Sequence, residues 1–392
     1  MSDLFDEQLR ALSARSLHRK LREIGSAQGP EIHLTGRRLI NFSSNDYLGL
    51  AADSRLREAA IAAIKEYGVG AGASRLISGT QSPHVRLEEA LARWKGTEAA
   101  LCFSSGYAAA IGTLPALVSK HDVVILDKLC HASLVDGAKL SGAIIRVFPH
   151  NHLGKLESHL DWARRERPGG RLVIVTESVF SMDGDRPPLR EIIELKKRFG
   201  ALLLLDEAHA VGVIGPNGRG LAAEIGLDGD VNVQMGTLSK ALGVSGGYIC
   251  GSRSLVDWLI NRARSFVYST APPPALAAAA LAAVEFLAAD EGEARRAPAL
   301  GAYRGTAQKP SQEQGDLRQF RIRDHSLDDR SGTGRGGSFR FAPEPRFFRS
   351  GRSLSNRCQR IRAIAHYRNG STPRGPYPIA LPGDQTAKRL NL

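Results

Sequence analysis

The sequence predicts an α/β protein built on a mostly parallel central sheet. Near-continuous Val, Ile and Leu runs of strand length recur from about residue 100, as expected of strands buried on both faces. Each run ends in a polar turn and most lead into a helix-like stretch, so strand, loop and helix alternate. The chain is 392 residues long and 42% hydrophobic, enough for a sizeable core and more than one domain.

The elements follow in order. Residues 4–24 alternate charged and apolar positions with a helical period, and Leu9, Leu12, Leu17 and Leu21 could line one stripe. An arm packed on the body or on a partner subunit accounts for such a helix. Gly25 to Gly29 breaks the pattern, and HLTGRRLINFSS reads as a short hairpin. Residues 54–67 form an Ala-rich helix ending at Gly68, and residues 84–95 a second helix with Leu87, Leu91 and Trp94 on one face and Gly96 as its stop. Then ALCF leads into SSGY, DVVILD into KLCHAS, AIIRVF into PHNHLG, and RLVIVTESVF into SMDGD. The helix-like PLREIIELKKRFG precedes ALLLLDEAHAVG. The apolar stretch from Ala275 to Leu287 is shorter than the roughly 20 residues of a membrane span and reads as a buried helix.

Three function classes are disfavoured. The net charge of +13 suggests nucleic-acid binding, but residues 301–392 hold 18 Lys and Arg against 7 Asp and Glu. The preceding 300 residues hold 35 against 33 and are nearly neutral. DEAH at 206–209 resembles a helicase box, yet no GxxxxGK[ST] lies upstream of it. The glycines of GVGAGA at 68–73 follow a helix rather than a strand, the wrong context for a dinucleotide fingerprint. The polar N-terminus is no signal peptide, and Cys102, Cys130, Cys250 and Cys358 form no CxxC pair, so the chain reads as cytoplasmic with free thiols.

Ligands of such sheets gather at the carboxyl ends of the strands. His131, Glu177, Asp206, His209, Ser239 and Lys240 form the chemically useful group, most of it just past strand-like runs. A lysine can form a Schiff base with pyridoxal phosphate (PLP), an acid can keep its pyridine nitrogen protonated, and SSGY opening a helix can offer amides to its phosphate. Each residue also has a bland reading, a solvated loop lysine or a loop-capping aspartate.

Longer stretches carry a resemblance: NFSSNDYLGL, GAGASRLISGT, LCFSSGYAA, DKLCHAS, VTESVFSMDGD, LLDEAHAVGVIGPNGRG, GTLSKALGVSGG and FVYST, in this order over roughly residues 5–300. In these the chain resembles the α-oxoamine synthases, PLP enzymes of fold type I. The resemblance implies a mostly parallel seven-stranded large domain with helices on both faces (45–287), preceded by a helical arm and hairpin (1–44) and followed by a small domain (288–392). It implies decarboxylative condensation of an amino acid with an acyl thioester, carried by CoA or a carrier protein, in a homodimer with shared sites. Lys240 would carry PLP, Asp206 would pair with the ring nitrogen, and His131 would stack on the ring and polarise the new carbonyl. Ser181 and His209 would contact the phenolic oxygen. Gly106, Tyr107 and Thr237 would hold the phosphate, with Ser269 and Thr270 from the partner. Asn45 and Glu177 would lie near the substrate, and Arg22, with Arg19 competing, would face the acyl group from the N-terminal helix.

After about residue 302 the resemblance stops. Relatives continue with an arginine that holds the amino-acid carboxylate and then a Thr-Val-Pro-like segment, and neither can be placed here. Arg, Ser, Gly and Pro dominate instead, a composition that predicts disorder. The abruptness of the change points to a shifted reading frame, with a natural divergent tail as the other option, and a catalytically impaired remnant or partner protein is the second functional class.

Overall fold

The computed structural model describes residues 2–307 and 347–348. The arm is α1 (Ser2–Ala14), followed by the hairpin β1 (Glu31–Leu34) and β2 (Arg37–Asn41). Helices α2 (Ser54–Tyr67) and α3 (Ser82–Lys95) lead into β3 (Ala99–Phe103) and α4 (Gly106–Leu117). The alternating part comprises β4 (Val123–Asp127), α5 (Ala132–Ser141), β5 (Ile144–Phe148), α6 (Leu153–Glu166), β6 (Leu172–Glu177), α7 (Leu189–Phe199) and β7 (Leu202–Asp206). A short α8 (Leu221–Glu224) precedes β8 (Val233–Thr237) and β9 (Gly247–Gly251). Helices α9 (Arg253–Arg262), α10 (Arg264–Val267), α11 (Pro274–Ala288) and α12 (Asp290–Ala307) follow, and β10 is Phe347–Phe348.

The central sheet has seven strands in the order β3-β9-β8-β7-β6-β4-β5. Only β9 runs against its neighbours β3 and β8; the other pairs are parallel. The period-two alternation of a strand explains why these runs are apolar throughout. Val124, Leu126, Val173, Val175 and Leu204 face a cluster with Leu114 and Leu134 of α4 and α5. Val123, Ile125, Leu172, Ile174 and Leu203 face the opposite cluster, with Leu156, Leu160, Ile192 and Ile193 of α6 and α7. A third cluster joins α2, α3 and α11, where Ala277, Ala280 and Ala283 are buried. The Ala-rich stretch is thus a core helix, and no helix among the described residues is long and apolar enough to cross a membrane.

The stop signals act as the sequence predicts. Gly96 caps α3 in the left-handed region at φ 68°, and Gly68 ends α2 at φ 79°. Thr35 and Gly36, both at positive φ, close the hairpin with the backbone twist a two-residue turn needs. The arm differs from expectation. Its helix ends at Ala14, because Ser16 adopts φ 55° and the Leu17 amide turns back to the Leu12 carbonyl at 2.8 Å, a Schellman-type closure. Leu17 and Leu21 therefore leave the helical stripe, and Arg22 lies outside the helix, in the segment leading to β1. At the other end α12 continues past residue 302 to Ala307, and Phe347–Phe348 pairs in parallel with Ile40–Asn41. The disorder predicted for the rest of the tail concerns residues outside those described, as does Cys358. Cys102, Cys130 and Cys250 are buried free thiols.

Behind the sheet's carboxyl edge lies a fully buried ion pair. Lys95 at the end of α3 sits 2.5 Å from Glu207, the residue after β7, with side chains 2% and 0% exposed. Lys95 also donates to the Arg219 carbonyl, and Glu207 accepts the Ala222 amide at 3.1 Å. The pair ties α3, the end of β7 and the 215–222 loop together. Removing one partner strands a buried charge, which costs about 3–5 kcal/mol. Lys95→Met should lower unfolding stability by about that amount in urea titrations, and adding Glu207→Gln should recover part of it. An equal loss in single and double variants would show that packing, not charge, holds this corner.

Candidate active site

The parallel strands deliver their last residues to one edge of the sheet. Asp127, Glu177, Asp206 and Thr237 end β4, β6, β7 and β8, and Glu177 is in register with Asp206. The turns after these strands carry His131, Ser181, His209 and Lys240. Neighbouring β3 opens into α4, whose N-cap Ser105 accepts the Ala108 amide at 3.0 Å. The first-turn amides of α4, those of Gly106 and Tyr107, have no intrahelical acceptor and point out of the helix start, where an anion is favoured. A Cβ built on Gly247 would stand 2.5 Å from both Gly106 N and Ser105 O, so β9 can lie against this turn only as glycine. Thr237 completes the cradle: its Oγ1 lies 3.5 Å from where a Gly106 Cβ would be, and it bonds Ser239 Oγ at 2.8 Å. The Tyr107 hydroxyl turns outward to Asp136 at 2.9 Å, leaving only its amide for the cradle.

Three acidic and basic groups flank this cradle. Asp206 is 5% exposed, and its Oδ1 accepts the Ala208 amide at 2.9 Å. Among the described residues no hydrogen-bond donor meets its Oδ2. Burial pushes this carboxyl up, opposed by the nearby Lys240 charge. Glu177 accepts the His131 backbone N–H. Burial first, and then the Asp206 charge, push its carboxyl up to about 8. His131 caps α5, and its Nδ1 is pinned by Ser133, 2.8 Å from Oγ and 3.2 Å from the amide, which leaves the exposed ring in a fixed orientation.

Opposite stands a chain of side chains. Lys240 Nζ lies 2.9 Å from His209 Nε2, and His209 Nδ1 lies 2.6 Å from the hydroxyl of Tyr47. Tyr47 in turn reaches Asn45 Oδ1 at 3.5 Å. The structure thus joins Asn45, His209 and Lys240 through Tyr47, a residue that sequence reasoning left unassigned. Its only signal was a tyrosine two positions beyond Asn45 in NFSSNDYLGL. Ser181 is half-buried in the turn after β6. Ser269 and Thr270 are placed against the 73–74 loop, through the Ser74–Thr270 bridge and the Ala271 amide on Ala73 O at 2.9 Å. Arg22 is exposed.

Comparison with known proteins decides between the bland and the functional readings. Residues 37–304 match the family of class I and II aminotransferases. The chain belongs to that family. Among curated relatives, the 8-amino-7-oxononanoate synthase of Geobacter metallireducens is 50% identical over 296 residues, 76% of this chain and 75% of its own. That of Anaeromyxobacter sp. is 51% identical, covering 74% and 71%. Among solved structures, Sphingomonas wittichii serine palmitoyltransferase superposes with a TM-score of 0.71 at 31% identity, covering 80% of this chain and 77% of that one. The 8-amino-7-oxononanoate synthase of Francisella tularensis gives 0.57 at 30%, covering 68% and 73%. The chain is therefore a PLP-dependent acyltransferase of fold type I, on the α-oxoamine synthase branch. The crevice fits the cofactor: an amide cradle for the phosphate, a buried acid with an open oxygen, a fixed imidazole face and a lysine converge on it.

The raised carboxyl of Glu177 has a pH signature. Folded, it holds its proton to about 8, against an ordinary 4.5, so between these values the folded chain binds the extra proton. Its stabilising contribution is complete below about 4.5 and is lost as pH rises toward 8. Asp206 adds a slope of the same sign. Cofactor-free protein should lose urea resistance between pH 5 and 8, by at most about 1.4 kcal/mol per pH unit for each such group. Glu177→Gln should flatten part of this fall; an unchanged slope would show that Glu177 is ionised in the folded chain.

Proposed function

We propose that the protein condenses L-alanine with a pimeloyl thioester, on CoA or a carrier protein, to give 8-amino-7-oxononanoate, a step of biotin synthesis. The observation that carries this reading is identity near 50% to synthases of that name over three-quarters of both chains. In the reaction the thioester C–S bond breaks and its acyl carbon bonds to the alanine α-carbon. The carboxylate leaves as carbon dioxide, and the thiol departs with a proton. Bound PLP supplies the electron sink that makes the α-carbon a nucleophile.

The chain's own residues supply placement and proton transfer. Lys240 Nζ would hold the cofactor covalently and, once displaced by the substrate amine, take and return the α-proton. The open Asp206 oxygen would accept the ring N–H and keep that nitrogen charged. His131, pinned by Ser133, would stack on the ring and donate to the carbonyl formed in the condensation. His209 and Ser181 would face the phenolic oxygen. The Gly106 and Tyr107 amides and Thr237 would hold the phosphate, joined by Ser269 and Thr270 of a second copy in a homodimer. Asn45 and Glu177 would border the substrate, and Arg22 would meet the distal acyl carboxylate. The buried free thiols accord with a reducing cytoplasm.

One observation favours a second reading. Serine palmitoyltransferase superposes more closely than the solved 8-amino-7-oxononanoate synthase, so a sibling reaction using serine or glycine is the alternative. We also propose that the chain as it stands is catalytically poor, because the family match ends at residue 304 and the charge-rich tail begins there. A shifted reading frame after about residue 302 would account for the abrupt change from the family pattern to a sequence dominated by Arg, Ser, Gly and Pro.

Two measurements test these proposals. Borohydride reduction of the yellow holoprotein should fix the cofactor to Lys240, and an adduct on any other lysine would sink the assignment. Turnover with alanine, glycine and serine should be weak in this chain and recover at least about 100-fold, with alanine preferred, once the residues after 300 are restored to the family pattern. That is the scale of loss expected when a substrate is misplaced by roughly 1 Å. Equal turnover would refute impairment by the tail, and preference for serine or glycine would move the enzyme to the sibling reaction.

A further inference from the structure

Beside the crevice, the same strand edge carries a second cluster of titratable groups. The chain leaves β5 through His150 and Asn151, and Asn151 takes φ 57°, a left-handed turn that asparagine tolerates. The Asp127 side chain, fully buried at the end of β4, closes this turn. Its Oδ2 accepts the Asn151 amide at 2.8 Å, and its Oδ1 meets His150 Nδ1 at 2.9 Å. The other ring nitrogen, Nε2, lies 2.7 Å from Asp185 Oδ2. Asp185 belongs to the turn after β6, which closes on itself: the Phe180 amide bonds the Asp185 carbonyl at 3.0 Å, and the Gly184 amide bonds the Phe180 carbonyl at 2.8 Å. Ser181 lies inside that turn, and the Phe180 ring meets the His150 ring edge-on at 4.4 Å.

Each of the two ring contacts needs a proton between its atoms, because an ionised carboxylate and a bare ring nitrogen can both only accept. Asn151 Nδ2, 3.2 Å from Nε2, does not relieve that need. Its two N–H groups have acceptors in Asp185 Oδ2 and the Arg186 carbonyl, both at 3.1 Å. The cluster therefore holds two protons, and an imidazole, ordinarily near about 6.5, keeps them in preference to carboxyls ordinarily near about 3.9. We propose that His150 is a positioning residue: as an imidazolium bonded to both carboxylates, it clasps the turn that carries Ser181 to the end of β4. The inference rests on the proposed reaction for its purpose, since Ser181 would face the cofactor's phenolic oxygen, though not for its geometry. The charged groups facing the ring are Asp127 from β4 and Asp185 from the turn, while Arg186 is engaged by Glu224. Partial burial pulls the ring's pKa down, and the bonds and charges of the two aspartates outweigh it, so His150 titrates above its ordinary value. With a raised folded value, the clasp is complete below about 6.5 and is lost as pH rises through the higher folded value.

The test joins nitrogen NMR of the His150 ring to hydrogen exchange of the Phe180 and Gly184 amides, in the full chain without PLP. Both ring nitrogens should be protonated at neutral pH. The two amides of the native protein should lose protection as pH rises through the ring's midpoint, after correction for intrinsic exchange. Asp185→Ala should speed their exchange about tenfold or more at neutral pH, the scale of a lost charge-assisted hydrogen bond, while the amides of β4 and β6 keep their protection. In holoprotein the same variant should move the pH midpoint of the lysine–cofactor absorbance upward, as the oxygen loses its Ser181 donor. A native ring with one bare nitrogen at neutral pH would overturn the inference, as would a folded Asp185→Ala protein with native exchange at both amides. An unmoved absorbance midpoint would overturn the positioning role. Should the variant not fold, the native titration decides alone: protection indifferent to the His150 midpoint refutes the clasp. None of these readouts uses turnover, so their outcome is separable from whether alanine condensation is the reaction.

Discussion

Among the carboxylates buried at adjoining strand ends are Glu177 at the end of β6, Asp206 at the end of β7, and Glu207 next to it. Charges so placed are costly unless each is neutralised, and the local architecture answers each in a different way. Glu207 turns to the far side and meets Lys95, a fixed structural cation. Glu177 takes the His131 amide and holds a proton to about 8. Asp206 has one amide for one oxygen and leaves the other open beside Lys240. The open Asp206 oxygen is the one that a protonated pyridine nitrogen would satisfy.

The same arrangement explains why function was partly legible from residues alone. Runs such as DVVILD and ALLLLDEAH give the strands, because burial on both faces demands apolar residues at every position. Once they are strands of a parallel sheet, the polar residues ending them fall at one edge. Helix stops at Gly68 and Gly96 were equally local, since each needs only a backbone freed from Cβ constraint. What failed to show was non-local. Nothing in NFSSNDYLGL says that Tyr47 meets a histidine 162 residues onward. The end of α1 was missed because Ser16 in the left-handed region carries no glycine to announce it. That error moved Arg22 from a helix to a segment of different direction.

The relation between cradle and lysine depends on glycine more than on any charged residue. Gly247 admits β9 against the start of α4, and Gly243 admits the lysine loop against the Leu50–Ala51 backbone. Both contacts are backbone on backbone, at distances no side chain fits, so the phosphate cradle and Lys240 share one rigid scaffold. Fixed geometry of this kind is what electrostatic catalysis requires, because dipoles aimed in advance need no rearrangement during reaction.

A substrate carboxylate imposes one more demand on this scaffold. Bound near Glu177 and Asp206, as proposed, it would need a cation of fixed direction, and the arginine fork, with two parallel hydrogen bonds, supplies direction as well as charge. Several arginines of the described chain are already committed to acids: Arg75 to Glu88, Arg186 to Glu224, Arg219 to Asp228 and Arg295 to Asp53. Withdrawing Arg75, Arg186 or Arg219 would take from its acid the arginine that pairs with it, and for the half-buried pairs that cost would fall on the fold itself. The large domain thus gathers groups that fit the cofactor at its own strand ends. The family match ends at residue 304, and over residues 301–392 the basic residues outnumber the acidic 18 to 7. Positive charge by itself does not meet such a demand, because a guanidinium selects one carboxylate orientation only when a packed element holds it still.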